Sequence, residues 1–296
     1  MESGASFCGI AKAADLGEAF NRFIDILRNS ASGATGVGGY ADDPANPPGL
    51  SYLGMESWKR RNIKNWFSPA ESVLICGFQY WNAQCETELR SPVDFAEFFR
   101  RTGRKFIHPE LVEYFRTAEI IPEISRYALS FDYHKTIRKI LKTILCRIKK
   151  ILPEVEGKIF VDTSPVMEKE FARLSGLGWQ GKNTLILSKG RGSWFFTGGI
   201  ALPVKLEPGS TVENLCGRCD VCIRACPAKA LKNPGALDAG LCISYWNTQH
   251  KEKLDRKIAG TLDCWLYGCD VCQQVCPYNK EVKTEILKDF LPVIFW

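Results

Sequence analysis

Two short runs of cysteines are the residues of this chain best suited to chemistry. The first run, Cys216-Gly-Arg-Cys-Asp-Val-Cys-Ile-Arg-Ala-Cys-Pro227, has the spacing C-x2-C-x2-C-x3-C-P. The second, Cys269-Asp-Val-Cys-Gln-Gln-Val-Cys-Pro277, has the spacing C-x2-C-x3-C-P. In bacterial two-cluster ferredoxins the first spacing binds [4Fe–4S] clusters, and the fourth cysteine of the run serves the other cluster. The spacing therefore predicts an electron-transfer centre with two clusters.

This pattern divides eight cysteines into two sets of four ligands. One set is Cys216, Cys219, Cys222 and Cys276, and the other is Cys226, Cys242, Cys269 and Cys272. C-x2-C also occurs in structural zinc sites, which use two separated pairs rather than a triplet. Disulfides are not expected, because we recognise no signal peptide. Most of the remaining cysteines (Cys8, Cys76, Cys85, Cys146 and Cys264) are predicted to be small apolar core residues.

Length and composition suggest two soluble domains. The chain has 296 residues, 45% of them hydrophobic, and a formal net charge of +6. We predict a first domain over 1–205 and an iron–sulfur domain over 206–296, with Pro203, Pro208 and Gly209 marking the linker. No apolar run reaches the length of a membrane span. Free thiols and clusters predict a reducing cytoplasm.

Hydrophobic periodicity predicts alternating helices and strands before the linker. The predicted helices are 15–28, 135–150 and 166–175, and the predicted strands are 73–80, 159–163, 184–188 and 194–201. Asp15 and Glu18 resemble a capping pair for the first helix. The alternation predicts an α/β or α+β domain. The iron–sulfur domain is expected to be rich in loops, with its fold set largely by the clusters.

The predicted helix 135–150 carries charge of one sign. Its cations are Lys135, Arg138, Lys139, Lys142, Arg147, Lys149 and Lys150, and the segment contains no acidic residue. Like charges at helical spacing repel each other, which favours a polyanionic partner. A run of charges is also an ordinary solvated helix face. Nucleic-acid contact and plain solubility therefore both stay open for this helix.

Several further segments resemble a known family. They are Arg126-Tyr-Ala-Leu-Ser-Phe-Asp-Tyr-His134, Val161-Asp-Thr-Ser-Pro-Val166, Gly176-Leu-Gly-Trp-Gln-Gly-Lys-Asn-Thr-Leu185, Cys242-Ile-Ser-Tyr245 and Tyr267-Gly-Cys-Asp-Val-Cys-Gln-Gln-Val-Cys-Pro277. In this order they resemble the core signature of the epoxyqueuosine reductases. The chain is expected to be a short form without the C-terminal helical-repeat domain of longer members.

The resemblance implies a cobalamin-dependent oxidoreductase that converts epoxyqueuosine to queuosine at the wobble position of the tRNA anticodon. The implied fold is α+β, with a nitroreductase-like α/β domain that binds cobalamin, followed by a ferredoxin-like domain with two [4Fe–4S] clusters. The implied partners are tRNA with queuosine-type anticodons and a reductant such as a flavodoxin or ferredoxin. We expect a cytoplasmic monomer. Cobalamin rests on the resemblance alone, because the sequence has no D-x-H-x-x-G motif.

By the same resemblance, Asp162 is the catalytic proton donor. Removing the epoxide oxygen takes two electrons and leaves an alkoxide or water, so a proton must arrive as the C–O bond breaks. Burial would keep such a carboxylic acid protonated near neutral pH. The alternative for Asp162 is a turn or N-cap aspartate ahead of a helix beginning near Pro165.

The resemblance also implies a set of cobalamin contacts. These are Arg61, Ser125, Asp162, Lys182, Asn183, Ile186, Ser188 and Thr197. For Arg61 and Lys182 the alternative is an exposed solubilising charge, and for Ile186 and Thr197 it is core packing. His134 is assigned to positioning, because this family holds cobalamin without a protein ligand to cobalt.

Two other functions remain open at the level of sequence. One is a paralogue that reduces another epoxide or a halogenated small molecule, although no twin-arginine export signal is present. The other is an electron-transfer protein, which would need neither Asp162 nor the 176–183 turn. The stretch from 81 to about 121 is longer than expected for the family. We predict an extra helix there that lines or covers the substrate entrance.

Overall fold

The computed structural model describes residues 5–32, 56–88, 99–100, 102, 108–254 and 256–292. Its scaffold is a four-stranded antiparallel sheet, which contains four of the eight strands of the described residues. The strands are β1 (Phe7–Lys12), β2 (Ser72–Gln79), β3 (Glu123–Ile124), β4 (Lys158–Phe160), β5 (Trp179–Gln180), β6 (Ile186–Leu187), β7 (Phe195–Leu202) and β8 (Trp265–Tyr267). The sheet order is β1-β2-β7-β4, and β3-β8 and β5-β6 form separate pairs.

The two central strands pair over their full length. Ser72 lies opposite Leu202 at one end, and Gln79 lies opposite Phe195 at the other. Most of their residues are buried, as expected for strands covered on both faces. At Gly198 a Cβ would lie 2.8 Å from the Cγ2 of Ile137, so only glycine lets the covering helix approach this closely.

Helices cover both faces of the sheet. The described part of the chain contains the helices α1 (Gly17–Ser32), α2 (Trp58–Arg61), α3 (Ala83–Glu88), α4 (Pro109–Thr117), α5 (Tyr133–Ile151), α6 (Glu168–Leu174), α7 (Val221–Ala225), α8 (Ile243–Thr248), α9 (Arg256–Ala259) and α10 (Val271–Gln274), of which α1, α5 and α6 cover the sheet. On one face α5 buries Ile137 and Leu141 against Ile200. On the other, α1 and α6 pack in the core that holds Val73 and Phe171. The architecture is therefore mixed α and β, with an antiparallel sheet between two helical layers.

The long basic helix is confirmed, and several predicted ends are wrong. The prediction 135–150 corresponds to α5, which buries Ile137, Leu141 and Ile144 of its apolar stripe. The first helix starts at Gly17, and Asp15 forms an ion pair with Arg61 instead of a capping pair. The strand predicted at 159–163 ends at Phe160, because Asp162 has φ +50. No described helix is long and apolar enough to cross a bilayer.

Packing contacts cross the predicted boundary at residue 205. Before it, α4 packs Leu111 and Phe115 against Ile243 of the cysteine-rich segment. Beyond it, Phe290 lies in the core beside Phe78. The strand β3 pairs in parallel with β8, Glu123 lying opposite Trp265 and Ile124 opposite Tyr267. Pairing between such distant residues leaves no local signal in the sequence, so periodicity does not predict it.

A buried ion pair also joins the two parts. Asp270 lies within the second cysteine run and is fully buried, and Arg126 is 9% exposed. The backbone N–H of Arg126 donates to Asp270 Oδ2 at 2.7 Å, and its Nη1 donates to the same oxygen at 3.3 Å. The Ser125 hydroxyl donates to Asp270 Oδ1. The loop that carries Cys269 and Cys272 is therefore fixed to the segment that precedes α5.

Candidate active site and iron–sulfur cavities

One cavity is lined by four cysteines from the two distant runs. These are Cys216, Cys219, Cys222 and Cys276, around a space of about 180 Å³. Cys219 is exposed and Cys276 is buried. Lys182 lines the same space, and its Nζ donates to the Gly217 carbonyl at 2.8 Å. The short loops therefore bring together the first set of ligands that spacing predicts.

A second cavity, of about 270 Å³, is lined by the other set. Its cysteines are Cys226, Cys242, Cys269 and Cys272. Ser125 lines this cavity too, which places it against the cysteines and not at the Asp162 loop. Cys264, which the spacing left without a role, is absent from the lining of both cavities.

The thiols fit iron–sulfur ligation. Burial raises the pKa of Cys269 to about 12 and raises the pKa values of Cys222 and Cys276. Such thiols ionise readily only where metal ions supply positive charge. In the described part of the chain no three His, Cys, Asp or Glu side chains converge on a point for one ion.

A third cavity, of about 420 Å³ and open to solvent, contains Asp162. Its other lining residues are Ala19, Arg22, Phe23, Arg60, Val166, Met167, Glu168, Lys169, Glu170, Gln180, Thr197 and Gly235. They come from α1, α2, the 162–170 segment, the sheet and the cysteine-rich segment. We call this space the Asp162 cavity.

The start of α5 holds the side chain of Asp162. The Tyr133 hydroxyl donates to Asp162 Oδ2 at 2.8 Å, and His134 Nε2 lies 2.9 Å from the same oxygen. His134 Nδ1 lies 2.9 Å from Asp132 Oδ1, which also caps α5 by accepting from the His134 backbone N–H. The Tyr133 ring stacks on Phe196, with 4.2 Å between centroids. Asp162 is therefore held by side chains, and not as a helix cap.

These contacts favour the protonated form of His134. Each of its ring nitrogens faces a carboxylate, so both must carry hydrogen for both contacts to be hydrogen bonds. The hydrogen bond with Asp162 raises the pKa of His134, and that with Asp132 adds to it. Burial would raise the pKa of Asp162, but the hydrogen bonds from His134 and Tyr133 outweigh it and lower the pKa. In this conformation the hydrogen bonds therefore favour the ionised form of Asp162 rather than the acid expected from burial.

Glu168, which the sequence did not single out, is a second acid in the same cavity. The Thr197 hydroxyl donates to Glu168 Oε2 at 3.0 Å. Glu168 Oε1 is shielded from solvent and has no hydrogen-bond partner among the described residues. Burial, with the nearby charge of Asp162, raises the pKa of Glu168 to about 8. Its only sequence signal is its place six residues after Asp162, at the start of a predicted helix.

The neighbouring arginines differ from the prediction. Arg61 points away from the Asp162 cavity and pairs with Asp15, both side chains being more than half exposed. Arg60 lines the cavity instead, and its Nη1 donates to the Ser164 carbonyl at 3.4 Å. Adjacent helical residues point in different directions, and the sequence could not tell which arginine faces inward.

The remaining predicted contacts are spread over several places. Thr197 lines the Asp162 cavity. Ile186 is buried in the core, and Ser188 forms an isolated β-bridge with Gly192. Lys182 and Asn183 line the cysteine cavities. The structure therefore brings Asp162 and Thr197 together and does not place the others beside them.

Two residues connect the three cavities. Asn183 lines both cysteine cavities, and its side chain donates to the Cys272 carbonyl at 3.3 Å. Lys169 lines both the second cysteine cavity and the Asp162 cavity. The order in space is therefore the first cysteine cavity, the second cysteine cavity and the Asp162 cavity.

Comparison with known proteins agrees with this geometry. A family model described as "Epoxyqueuosine reductase QueG" matches residues 60–163, which include Arg60, the start of α5 and Asp162. A second, described as "4Fe-4S double cluster binding domain", matches residues 215–279, which include all eight clustered cysteines.

Full-length comparison gives the family. The epoxyqueuosine reductase of Cyclobacterium marinum is 30% identical over 290 residues, which cover 98% of this chain and 79% of that protein. The one from Synechocystis sp. is 39% identical over 236 residues, covering 78% and 72%. The chain belongs to the epoxyqueuosine reductase family. A third member, from Leadbetterella byssophila, is 39% identical over 170 residues, or 57% of this chain and 56% of that one.

Solved epoxyqueuosine reductases share the fold. One, solved as its selenomethionine form, superposes with a TM-score of 0.72 at 24% identity. Another, with a TM-score of 0.69, was solved with an epoxyqueuosine-modified tRNA-Tyr stem loop. A third, from Bacillus subtilis (TM-score 0.70), has the catalytic loop that carries its aspartate swung out of the active site. The match covers 98% of this chain and 66% of each of those chains.

Proposed function

We propose that this chain reduces epoxyqueuosine in tRNA to queuosine. Family membership supports the reaction. The observation that carries the proposal for this chain is the Asp162–Tyr133–His134 contact in an open cavity, next to a cavity lined by four cysteines. An electron carrier would need the cysteines alone, whereas this arrangement also brings a proton to the same place.

The cavity order supports a direction for the electrons. Clusters bound by the two cysteine sets supply one-electron transfer from a reductant such as a flavodoxin or ferredoxin. Cys219 is exposed, so the first set is the side that such a reductant can approach. The second set shares Lys169 with the Asp162 cavity, which makes it the inner set.

The Asp162 cavity also fits cobalamin. Ala19, Phe23 and Met167 offer apolar surface, and Arg22, Arg60, Lys169 and Gln180 offer hydrogen-bond donors at its rim. A corrin, which is apolar on its faces and carries amide oxygens at its edge, suits this combination. When bound, cobalamin supplies a cobalt centre that accepts single electrons.

The reaction balances with two protons. Epoxide, two electrons and two protons give an alkene and one water, as both C–O bonds break and a C=C bond forms. His134 holds one proton against Asp162 Oδ2. Asp162 takes this proton from His134 and delivers it to the departing oxygen. Asp162 therefore remains the residue that we assign to proton donation, with His134 as its supply.

The basic face of α5 supports contact with RNA. The helix begins with Tyr133 and His134 at the Asp162 cavity and extends for 19 residues, about 28 Å. Its seven cations are all exposed along this length. A nucleic-acid strand along α5 would therefore lead directly to the cavity, with its phosphates neutralised by the helix.

The finer features belong to the same proposal. They are the nitroreductase-like character of the sheet domain, the division at residue 205, two clusters with the ligand sets described, a monomeric state and a cytoplasmic location. The antiparallel sheet between two helical layers supports the nitroreductase-like character. The grouping of each cysteine set around one cavity supports two clusters with these ligand sets.

Anaerobic reconstitution tests the function. The full chain is loaded with iron, sulfide and cobalamin, reduced, and given tRNA that carries epoxyqueuosine, and its nucleosides are analysed by mass spectrometry. Loss of one oxygen to give queuosine is the expected result. Bound cobalamin with unchanged tRNA would overturn the assignment and favour a reductase of another epoxide or of a halogenated molecule. Absence of corrin absorption would instead favour an electron carrier.

A further inference from the structure

We infer that Glu168 holds the second proton of the reduction, as a neutral carboxylic acid in the wall of the Asp162 cavity. The inference rests on the proposed function for its reaction and on the structure for the residue. The reaction consumes two protons. In the row formed by Asp132, His134 and Asp162, the histidine lies between the two carboxylates and provides one of these protons. A second proton-holding group is therefore needed at the same cavity.

The geometry at Glu168 favours the neutral acid. An ionised carboxylate is best stabilised when both of its oxygens accept hydrogen bonds. The carboxyl group of Glu168 accepts hydrogen bonds from the Thr197 hydroxyl, at Oε2 and 3.0 Å, and from the backbone of Asp162. Oε1 is out of contact with water and has no hydrogen-bond partner among the described residues. An ionised Glu168 would leave a charged oxygen unsatisfied, which costs more free energy than shielding a neutral group.

Some of the charges around Glu168 raise its pKa and others lower it. The groups that face it from the elements packed around the cavity are Asp162, His134, Lys169, Arg22, Arg60 and Glu170. The negative charge of Asp162 lies close to Glu168 and raises the pKa of Glu168. When two carboxyl groups are neighbours, one ionises more easily and the other keeps its proton to a higher pH. Asp162 is hydrogen-bonded to two donors, so it is the one that ionises, and Glu168 is the one that keeps its proton. The raised pKa of about 8 agrees with this division.

The two acids then have complementary roles. One proton passes from His134 through Asp162, and the other leaves Glu168, so that the departing oxygen becomes water. The two electrons come from the one-electron donor. Glu168 ends as a carboxylate and regains a proton from solvent, to which the cavity is open. Thr197 stabilises that carboxylate by its hydrogen bond.

Infrared titration of the protein tests the protonation without turnover. We expect a protonated-carboxyl band at pH 7 that disappears as pH rises through about 8. The band should be lost in Glu168→Gln and kept in Glu71→Gln, an exposed glutamate paired with Lys64 at 2.6 Å. In Thr197→Val the band should persist to higher pH, because the hydrogen bond that favours ionisation is gone. A band that survives in Glu168→Gln, or no band in the wild type at pH 7, would overturn the inference.

Reduction of epoxyqueuosine tRNA is the second readout. Glu168→Gln should slow single-turnover reduction by about 100-fold or more, the usual contribution of a general acid, while Glu71→Gln leaves it unchanged. In the wild type the rate should fall above about pH 8, and in Thr197→Val this fall should move to higher pH. An unchanged rate in Glu168→Gln would contradict the inference. Inactivity of the wild type, with the infrared band present, would instead reject the proposed function.

Discussion

At the scale of single residues, Asp132, His134 and Asp162 form a row in which one imidazolium bridges two carboxylates. Because the pKa of Asp162 is lowered in the folded protein, its ionised side chain stabilises the fold at pH values above the pKa that Asp162 has in the unfolded chain. This stabilisation is lost as pH falls through the pKa of Asp162 in the folded protein. Because the pKa of His134 is raised in the folded protein, its protonated ring stabilises the fold at pH values below the pKa that His134 has in the unfolded chain. This stabilisation is lost as pH rises through the pKa of His134 in the folded protein. The row is therefore intact between these two pKa values, which is also the range in which it can pass a proton.

Asp162→Asn should retain the clusters and cobalamin and lose turnover. The amide oxygen can still accept from Tyr133, and asparagine tolerates the φ of +50, but the side chain no longer passes a proton. We expect reduction to slow by about 100-fold or more. Asp263→Asn is the matched control, because Asp263 is an exposed aspartate with φ +54 away from the cavity. Near-normal turnover in Asp162→Asn would remove Asp162 from the mechanism.

At the scale of elements, α5 joins the proton row to a basic surface. The sequence was sufficient to predict this helix, because its apolar residues recur at a local period. The same reasoning could not place Glu168, whose role depends on Thr197, 29 residues further along. It also extended the strand after Lys158 too far, because the left-handed backbone of Asp162 has no periodic signal.

Changing Lys135, Lys139 and Lys142 together to glutamine should weaken tRNA binding. All three are exposed on α5, so the fold should not change. The logarithm of the binding constant falls linearly with the logarithm of the salt concentration, and each phosphate contact adds somewhat less than one to the steepness of this fall. Losing three contacts should therefore reduce the steepness by about 2. Binding is measured by salt titration with an anticodon stem loop. The control is glutamine at Lys205, Lys251 and Lys283, which are exposed elsewhere. Equal slopes in the two triple variants would exclude α5 as the RNA surface.

At the scale of the whole molecule, the chain crosses between its two parts several times. The sequence separated them at residue 205 because composition changes there, whereas packing depends on contacts such as β3 with β8 and Arg126 with Asp270. The string Cys-Asp-Val-Cys occurs twice, at 219–222 and 269–272. Its first aspartate forms an exposed pair with Arg224, and its second is buried against Arg126. Identical local sequence therefore has two structural roles, and only the fold distinguishes them.

Asp270→Asn should destabilise the protein far more than Asp220→Asn. Removing one partner of a buried ion pair costs about 3–5 kcal/mol, and an exposed pair contributes about 1 kcal/mol or less. Denaturant unfolding of the anaerobic holoprotein measures the difference, and iron content per chain shows whether the second cysteine set still binds its cluster. Equal stability of the two variants would show that Asp270 does not fix the loop.

The separation of the first cysteine cavity from the Asp162 cavity also affects the order of events in a catalytic cycle. Among the described residues the two cavities share no lining residue, since the second cysteine cavity lies between them. A carrier that donates one electron must visit twice for each epoxide. Under the proposed function, the carrier approaches near exposed Cys219 and the nucleotide enters the Asp162 cavity, so both visits could take place while the same RNA stays bound. We therefore expect the half-reduced complex to wait for its second electron without releasing the RNA.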